Sequence, residues 1–232
     1  MASAPVRSNV WMIDVMGYYL TNDLQATNEE IDYLKRLCAL KSKPREASIK
    51  LKGVRNPSTI IDDYLYHGDL GHALNKNLLE ELDIRHIVNV CDSPLNKEIL
   101  DHFNVLWINV SDELSANIRQ YFDRTNEFLH ACKLKNEKVL VHCQMGISRS
   151  SSIILAYLIK YHFDNLYDAY DHLVQCRRIV SPNFGFFLQL IRYESDLHSS
   201  KTIKDDHVSN ESIGTVTTPS SVNSNLIEST KQ

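Results

Sequence analysis

One stretch restricts the folds and chemistries open to this chain more than any other. Val139-Leu140-Val141 is a short aliphatic run that reads as a buried strand, and Ser152–Tyr161, nearly all apolar, reads as a buried helix. Between them stand His142-Cys143-Gln144-Met145-Gly146-Ile147-Ser148-Arg149-Ser150, in which five residues separate a Cys from an Arg. A strand that turns sharply into a helix presents free backbone N–H groups at the helix's first turn. That is a site for an anion. A Cys at its mouth is held as thiolate by the same dipole and the same donors. The planar fork of Arg149 matches two oxygens of a phosphate. The stretch can therefore both bind a phosphate and attack it. The plainer alternative, a buried Cys and a surface Arg that happen to lie six apart, leaves the strand–loop–helix context unexplained.

The surrounding sequence supplies a sheet for that strand. Ile60-Ile61 and Tyr64-Leu65-Tyr66 suggest one strand ending at Gly68-Asp69, Arg85 to Val90 a second and Val105 to Val110 a third. Helices are expected over Asn75 to Leu82, from Ile118 through Cys132, after a cap at Asp164, and after Ser181-Pro182-Asn183. Strands alternating with helices imply an α/β fold, a central, mostly parallel sheet flanked by helices. Ligands of such sheets bind beyond the carboxyl ends of the strands, where the Cys143 loop lies. The catalytic domain is placed at 57–198. An N-terminal extension, 1–56, carries one helix, which opens on the capping box Thr27-Asn28-Glu29-Glu30, continues through Ile31, Leu34, Leu37 and Cys38, and ends between Lys41 and Arg45 at Pro44. It reads as an appendage packed on the main domain. Residues 199–232 lack aromatic residues, are rich in Ser, Thr and Asn, and are expected to be a disordered tail.

Composition narrows the function classes. A net charge of −4 gives no reason to expect nucleic acid. The N-terminal Trp11-Met12-Ile13 is cut by Asp14, so neither a signal peptide nor a membrane span is expected, and Ala2 excludes N-myristoylation. Five widely spaced cysteines, with no Cys-x-x-Cys, give no zinc pattern and argue against a secreted disulfide framework. A reducing cytoplasm, or the nucleus, is the expected location. No metal or other cofactor is expected, because Arg149 and the loop N–H groups neutralise the phosphate charge. The oligomeric state is left open.

His-Cys-x-x-Gly-x-x-Arg-Ser, set between an apolar strand and an apolar helix, closely resembles the phosphate loop of the cysteine-dependent protein tyrosine phosphatases, in the dual-specificity branch. The resemblance runs from about Pro57 to Leu197. It includes Leu65-Tyr66-His67-Gly68, where His67 replaces a usual aliphatic residue. It includes Asn89, matching an Asn that braces the phosphate loop, and Ser181-Pro182-Asn183-Phe184-Gly185-Phe186-Phe187-Leu188-Gln189-Leu190, matching a structural brace. The loop Gln144-Met145-Gly146-Ile147-Ser148 is also similar to slingshot-type loops. The resemblance implies a protein tyrosine phosphatase-like fold and a set of roles. Cys143 is the nucleophile. The N–H groups of Gln144, Met145, Gly146, Ile147, Ser148 and Arg149 cradle the phosphate, and Arg149 clamps it. His142 is structural, and the Ser150 hydroxyl bonds the sulfur and helps the thiolate leave. Asp112, 31 residues before Cys143 and on the loop between a strand and a helix, is the expected general acid and then base, with Glu113 and Asp92 as competitors.

Rhodanese-like enzymes have no comparable aspartate loop, and low-molecular-weight phosphatases and arsenate reductases place their Cys loop near the N-terminus. No rhodanese-like docking domain is expected before the catalytic part, so a small, atypical type is implied. The loop carries no lysine, which argues for phosphorylated proteins over inositol lipids as substrates. Phosphotyrosine, phosphoserine and phosphothreonine are all expected to be accepted, since no long phosphotyrosine-recognition loop is recognisable. A lipid or other non-protein phosphatase and a phosphoprotein-binding scaffold are the alternatives. Cys91 reads first as a small buried apolar residue. The resemblance implies a second role for it, as a redox partner of Cys143.

Overall fold

The computed structural model describes residues 10–42, 56–62 and 64–210. Five strands form one sheet: β1 (Ser58–Ile61), β2 (Leu65–Gly68), β3 (Ile84–Asn89), β4 (Asn104–Trp107) and β5 (Lys138–His142). Their order is β1-β2-β5-β3-β4. β2, β5, β3 and β4 run parallel, and β1 is antiparallel to β2 at the edge. The predicted single strand over Ile60–Gly68 is thus a hairpin. The chain reverses between Ile61 and Leu65, with the Tyr64 N–H on the Ile61 carbonyl (3.4 Å). Both arms carry apolar residues, so the run looked continuous.

The central strand β5 shows why this sheet is covered on both faces. Val139 and Val141 point into the main core, and Leu140 points into a smaller one on the other side. The smaller core is closed by three short helices, α4 (Leu70–Ala73), α5 (Lys76–Glu81) and α6 (Lys97–His102). α4 and α6 escaped the sequence reading because one turn or so of helix shows no 3.6-residue period. Their caps are legible in hindsight: Asp69 accepts from the His72 N–H and Asn96 from the Ile99 N–H. The main core is closed by α7 (Phe122–Leu134), α8 (Arg149–Tyr161), α9 (Leu166–Cys176) and α10 (Phe184–Asn210). α8 is buried at every residue from Arg149 to Ile159, as expected of a helix that is apolar nearly all round. α9 is capped by Asn165, whose side chain accepts from the Asp168 N–H, and not by Asp164 as predicted.

Among the described residues the N-terminal part holds three helices where one was predicted: α1 (Val10–Val15), α2 (Gly17–Asn22) and α3 (Asn28–Leu40). α1 and α2 are six residues each, too short for a periodic signal, yet Ile13 and Leu20 are wholly buried. α3 opens on the predicted Thr27–Glu30 capping box. It ends at Leu40, and the predicted stop at Pro44 and Arg45 lies outside the described residues. Arg192 of α10 grips the Glu30 carboxylate with two hydrogen bonds (2.7 and 3.0 Å). The buried Glu194 accepts from Tyr33 (3.2 Å) and from the Leu166 N–H at the start of α9 (2.6 Å). Helix α3 is therefore tied to the main core by charge as well as by Leu34 and Leu37.

The chain divides after Leu197 into two units. In the second, α10 continues to Asn210. Residues 199–210 are thus helical where the sequence reading placed a disordered tail. A helix already nucleated by the packed Phe184–Leu197 segment propagates at little cost through polar residues. Residues 211–232 of that predicted tail lie outside the described residues. No helix among the described residues is long and apolar enough to cross a membrane.

Candidate active site

The four parallel strands end side by side, and each carboxyl end delivers one part. β5 ends at His142 and feeds the Cys143 loop. β2 ends at Gly68 and Asp69, β3 leads to Cys91 and Asp92, and β4 leads into the 108–118 segment that carries Asp112.

The loop is shaped by where its carbonyls go. The Gln144 carbonyl accepts from the Leu70 N–H (3.3 Å), the Ile147 carbonyl from the Ser181 N–H (2.8 Å), and the Ser148 carbonyl from the Ser152 N–H (3.0 Å). Arg177, buried beside the loop, donates Nε to the Gly146 carbonyl (3.0 Å) and a terminal nitrogen to the Met145 carbonyl (3.5 Å). Each carbonyl from Gln144 to Ser148 is thus engaged. Among the described residues no hydrogen bond uses the N–H groups of Gln144 to Arg149 as donors. Those N–H groups form the concave, partially positive nest that an anion needs. Gly146 has φ +62°, and a Cβ there would strike the Gly68 carbonyl and come within 2.7 Å of Arg177. Both the left-handed backbone and the close approach of β2 require glycine.

Cys143 lies at the floor of this loop, 2% exposed. Ser150, fully buried, donates its hydroxyl to the Cys143 sulfur at 3.1 Å. His67 Nε2 stands 2.8 Å from the same hydroxyl oxygen. His142 is buried with Nδ1 against the Cys143 carbonyl (3.3 Å). Burial pushes its pKa down to about 4, so it is neutral at pH 7 and lacks the basicity of a general base. Arg149 is held by the Val110 carbonyl (3.2 Å), and its Nε has no hydrogen-bond partner. Asp92 and Asp112 each stand 3.8 Å from this guanidinium.

Asp112 is brought to the loop by the side chains of two residues, which are themselves bonded together. Its Oδ1 accepts from the Ser148 hydroxyl (2.6 Å) and from Asn183 Nδ2 (2.8 Å), while the Asn183 N–H donates to Ser148 Oγ (3.0 Å). With Oδ1 doubly occupied, Oδ2 is the oxygen that faces Arg149. The segment carrying Asp112 is pinned in turn by Gln189, which donates to the Ala116 carbonyl (2.8 Å) and accepts from the Arg119 N–H (2.9 Å). A Cβ on Gly185 would collide with the Leu114 carbonyl. The Pro182–Leu190 element is thus the clamp of the acid's loop, and its Asn, Gly and Gln each have a separate contact in it. Of the two competitors, Asp92 is more exposed than Asp112, and Glu113 meets Asn183 through its backbone carbonyl (3.4 Å).

Asn89 is completely buried, but its side chain closes the turn after β3. It donates to the Ser93 carbonyl (2.9 Å) and accepts from the Cys91 N–H (3.0 Å). This differs from the predicted direct brace of the Cys143 loop. Asn89 supports that loop through its backbone, beside His142 in the β3–β5 ladder. Cys91 and Cys143 are both buried free thiols. Burial, then the neighbouring Cys143, pushes the Cys91 thiol up to about 11. Arg177 was missed from sequence, where Arg177-Arg178 has no periodic or motif signal.

Three imidazoles, His67 and His142 buried and His162 partly buried, make a stability prediction. Burial lowers His142 and His162 to about 4, and His67 also well below 6.5. The unfolded chain binds protons at these rings near 6.5, whereas the fold binds them only near 4 at His142 and His162, and only well below 6.5 at His67. Unfolding therefore takes up protons in between, and stability falls as pH drops. Thermal melts should show Tm constant above pH 6.5 and declining from there towards pH 4.5, before carboxylates titrate. A flat Tm across that window would mean the rings are hydrated in solution.

The model of the dual specificity phosphatase catalytic domain matches residues 65–196. Human dual specificity protein phosphatase 5 is 40% identical over 134 residues, covering 58% of this chain and 35% of that protein. The Slingshot homolog protein phosphatase of Xenopus laevis is 37% identical over 169 residues, 71% of this chain and 24% of that protein. This chain therefore spans about a third of the human relative and a quarter of the frog one. The crystal structure of DUSP15 superposes with a TM-score of 0.56 at 28% identity, covering 62% of this chain and 96% of that one. With its domain model matched over more than half its length, the chain belongs to the dual specificity phosphatase family.

Proposed function

We propose that this protein hydrolyses phosphate monoesters on protein side chains, phosphotyrosine and phosphoserine or phosphothreonine, through a cysteinyl-phosphate intermediate. The observation that carries this reading is the loop whose carbonyls all turn outward around Cys143, with Arg149 Nε unpartnered and Asp112 at the rim. In the first step the Cys143 thiolate attacks phosphorus, and the bond to the leaving oxygen breaks as Asp112 gives that oxygen its proton. The loop N–H groups and Arg149 hold the equatorial oxygens and oppose the charge that spreads over them. In the second step water attacks phosphorus, Asp112 takes the water's proton, and the sulfur leaves as thiolate. Ser148 and Asn183 fix Asp112 so that Oδ2 is the oxygen that exchanges the proton.

The lysine-free loop supports phosphoprotein over inositol lipid, since Gln144, Met145, Ile147 and Ser148 offer no charge to further phosphates. Five free thiols fit a reducing compartment, the cytoplasm or nucleus. A purified-protein panel tests the substrate class: phosphotyrosine, phosphoserine and phosphothreonine peptides against a phosphoinositide in vesicles. Turnover of the peptides with little release from the lipid is expected. Preferred release from the lipid would overturn the protein assignment, and peptide capture without turnover would make the protein a scaffold.

A further inference from the structure

α8 begins with three successive serines, and one of them behaves differently. Ser151 donates its hydroxyl to the Ile147 carbonyl (2.6 Å) and Ser152 to the Ser148 carbonyl (2.9 Å). That bond, back to the carbonyl four residues earlier, is the usual outlet of a helical serine. Ser150 donates instead to the Cys143 sulfur. Two neighbours set its surroundings. The carbonyl four residues back, that of Gly146, accepts from Arg177 Nε (3.0 Å). The Ser150 oxygen is met by His67 Nε2 at 2.8 Å.

We propose that His67 is a positioning residue for hydrolysis of the cysteinyl phosphate: its ring N–H holds the Ser150 oxygen, so that the single hydroxyl proton is kept on the Cys143 sulfur. The inference rests on the reading of Cys143 as nucleophile. A serine hydroxyl has one proton. With that proton on sulfur, the 2.8 Å contact requires the proton of the neutral imidazole to be on Nε2. Nδ1 is then a bare lone pair, and it is the ring atom without a partner. The opposite arrangement, Ser150 donating to His67, would turn the unpartnered Nδ1 into a buried N–H and take the hydroxyl proton off the sulfur. The residue is held by burial and by its strand. His67 is completely buried, and its backbone is registered against Val141 in the β2–β5 ladder. Burial, with Arg177 and His142 nearby, keeps it neutral. An aliphatic residue at this position offers no such donor.

The second step is where this matters. Water oxygen bonds to phosphorus, the phosphorus–sulfur bond breaks with its electron pair passing to sulfur, and the water's proton goes to Asp112. Negative charge grows on sulfur, and a donor already aimed there needs no reorganisation. In the first step the same hydrogen bond stabilises the thiolate before attack as well as after it weakens, so its net effect on kcat/KM is small.

Rapid-mixing kinetics on the full chain with an aryl phosphate separates the two steps. His67→Leu should lower kcat about threefold to tenfold, the range of one hydrogen bond of ordinary net strength. It should leave kcat/KM within about twofold, and release a larger initial burst of the phenol as phosphoenzyme accumulates. His67→Gln, whose amide nitrogen reaches the place of Nε2, should restore kcat. The double variant His67→Leu/Ser150→Ala should be no slower than Ser150→Ala alone. Multiplying effects, a parallel fall of kcat and kcat/KM without a burst, or no rescue by Gln would each overturn the proposal. Should His67→Leu fail to fold, His67→Asn, whose amide reaches only as far as Nδ1, replaces it with the same expectations. Cys143→Ser is run beside these. Turnover surviving in Cys143→Ser would defeat the cysteinyl-phosphate reading itself, whereas a Cys143-dependent enzyme indifferent to His67 defeats only this inference.

Discussion

Cys143→Ser is expected to abolish turnover, by a factor on the order of 10⁴ or more, while leaving the fold and the affinity for phosphate or tungstate within a few-fold. The two halves of this expectation have separate causes. A serine hydroxyl is far harder to ionise than a thiol and is a poor nucleophile without an adjacent base. The nearest imidazole, His142, is turned to the Cys143 carbonyl and depressed to about 4, and His67 is committed to Ser150, so neither supplies that base. Anion binding depends on other groups. The loop is held open by Arg177 and by the Leu70 and Ser181 N–H groups, and Arg149 is held by the Val110 carbonyl. Calorimetric titration with tungstate alongside turnover assays checks both halves. Appreciable turnover by the Ser variant would remove Cys143 from the chemistry.

Asp112→Ala is expected to lower kcat about 10²-fold to 10⁴-fold, the usual worth of a positioned general acid. The loss should grow as the leaving group becomes more basic, being least for an activated aryl phosphate and greatest for phosphoserine, because only a poor leaving oxygen needs the proton. Ala also frees Ser148 and Asn183 from their shared partner. Asp112→Asn separates the two effects, since its carbonyl oxygen still accepts both bonds while its amide moves no proton. Equal losses in Ala and Asn assign the effect to proton transfer. A large loss in Ala with little in Asn would instead make Asp112 an anchor of the loop and leave the acid to Asp92 or Glu113.

The chemistry of this protein is legible in sequence because its densest part is local. Cys143, the cradle N–H groups, Arg149 and Ser150 fall within one loop and one helical turn, so their spacing alone places them around one phosphate. Strand and helix order were also readable wherever an element was long enough to show its period, as in β3, β5, α3 and α8. Several short elements were not, although α5 and β4 were. The Ile61–Leu65 reversal merged two strands into one, and α1, α2, α4 and α6 have too few residues for a face to repeat. The helical stretch past His198 was missed because its residues carry no packing signal of their own.

The tertiary structure decided which distant side chains serve the loop. The Ser148–Asp112 and Asn183–Asp112 bonds span 36 and 71 residues, and the His67–Ser150 contact spans 83. Nothing in the local sequence around Arg177 says that it holds the Gly146 carbonyl, or around Asn89 that its side chain closes its own turn. Such bonds form because sheet register and helix packing bring strand ends and helix starts together, and no periodicity encodes that. The sequence alone determined a nucleophile, an anion cradle and a candidate acid. Only the folded sheet, by bringing β2 against β5, set a buried imidazole behind Ser150 and its hydroxyl proton on the sulfur.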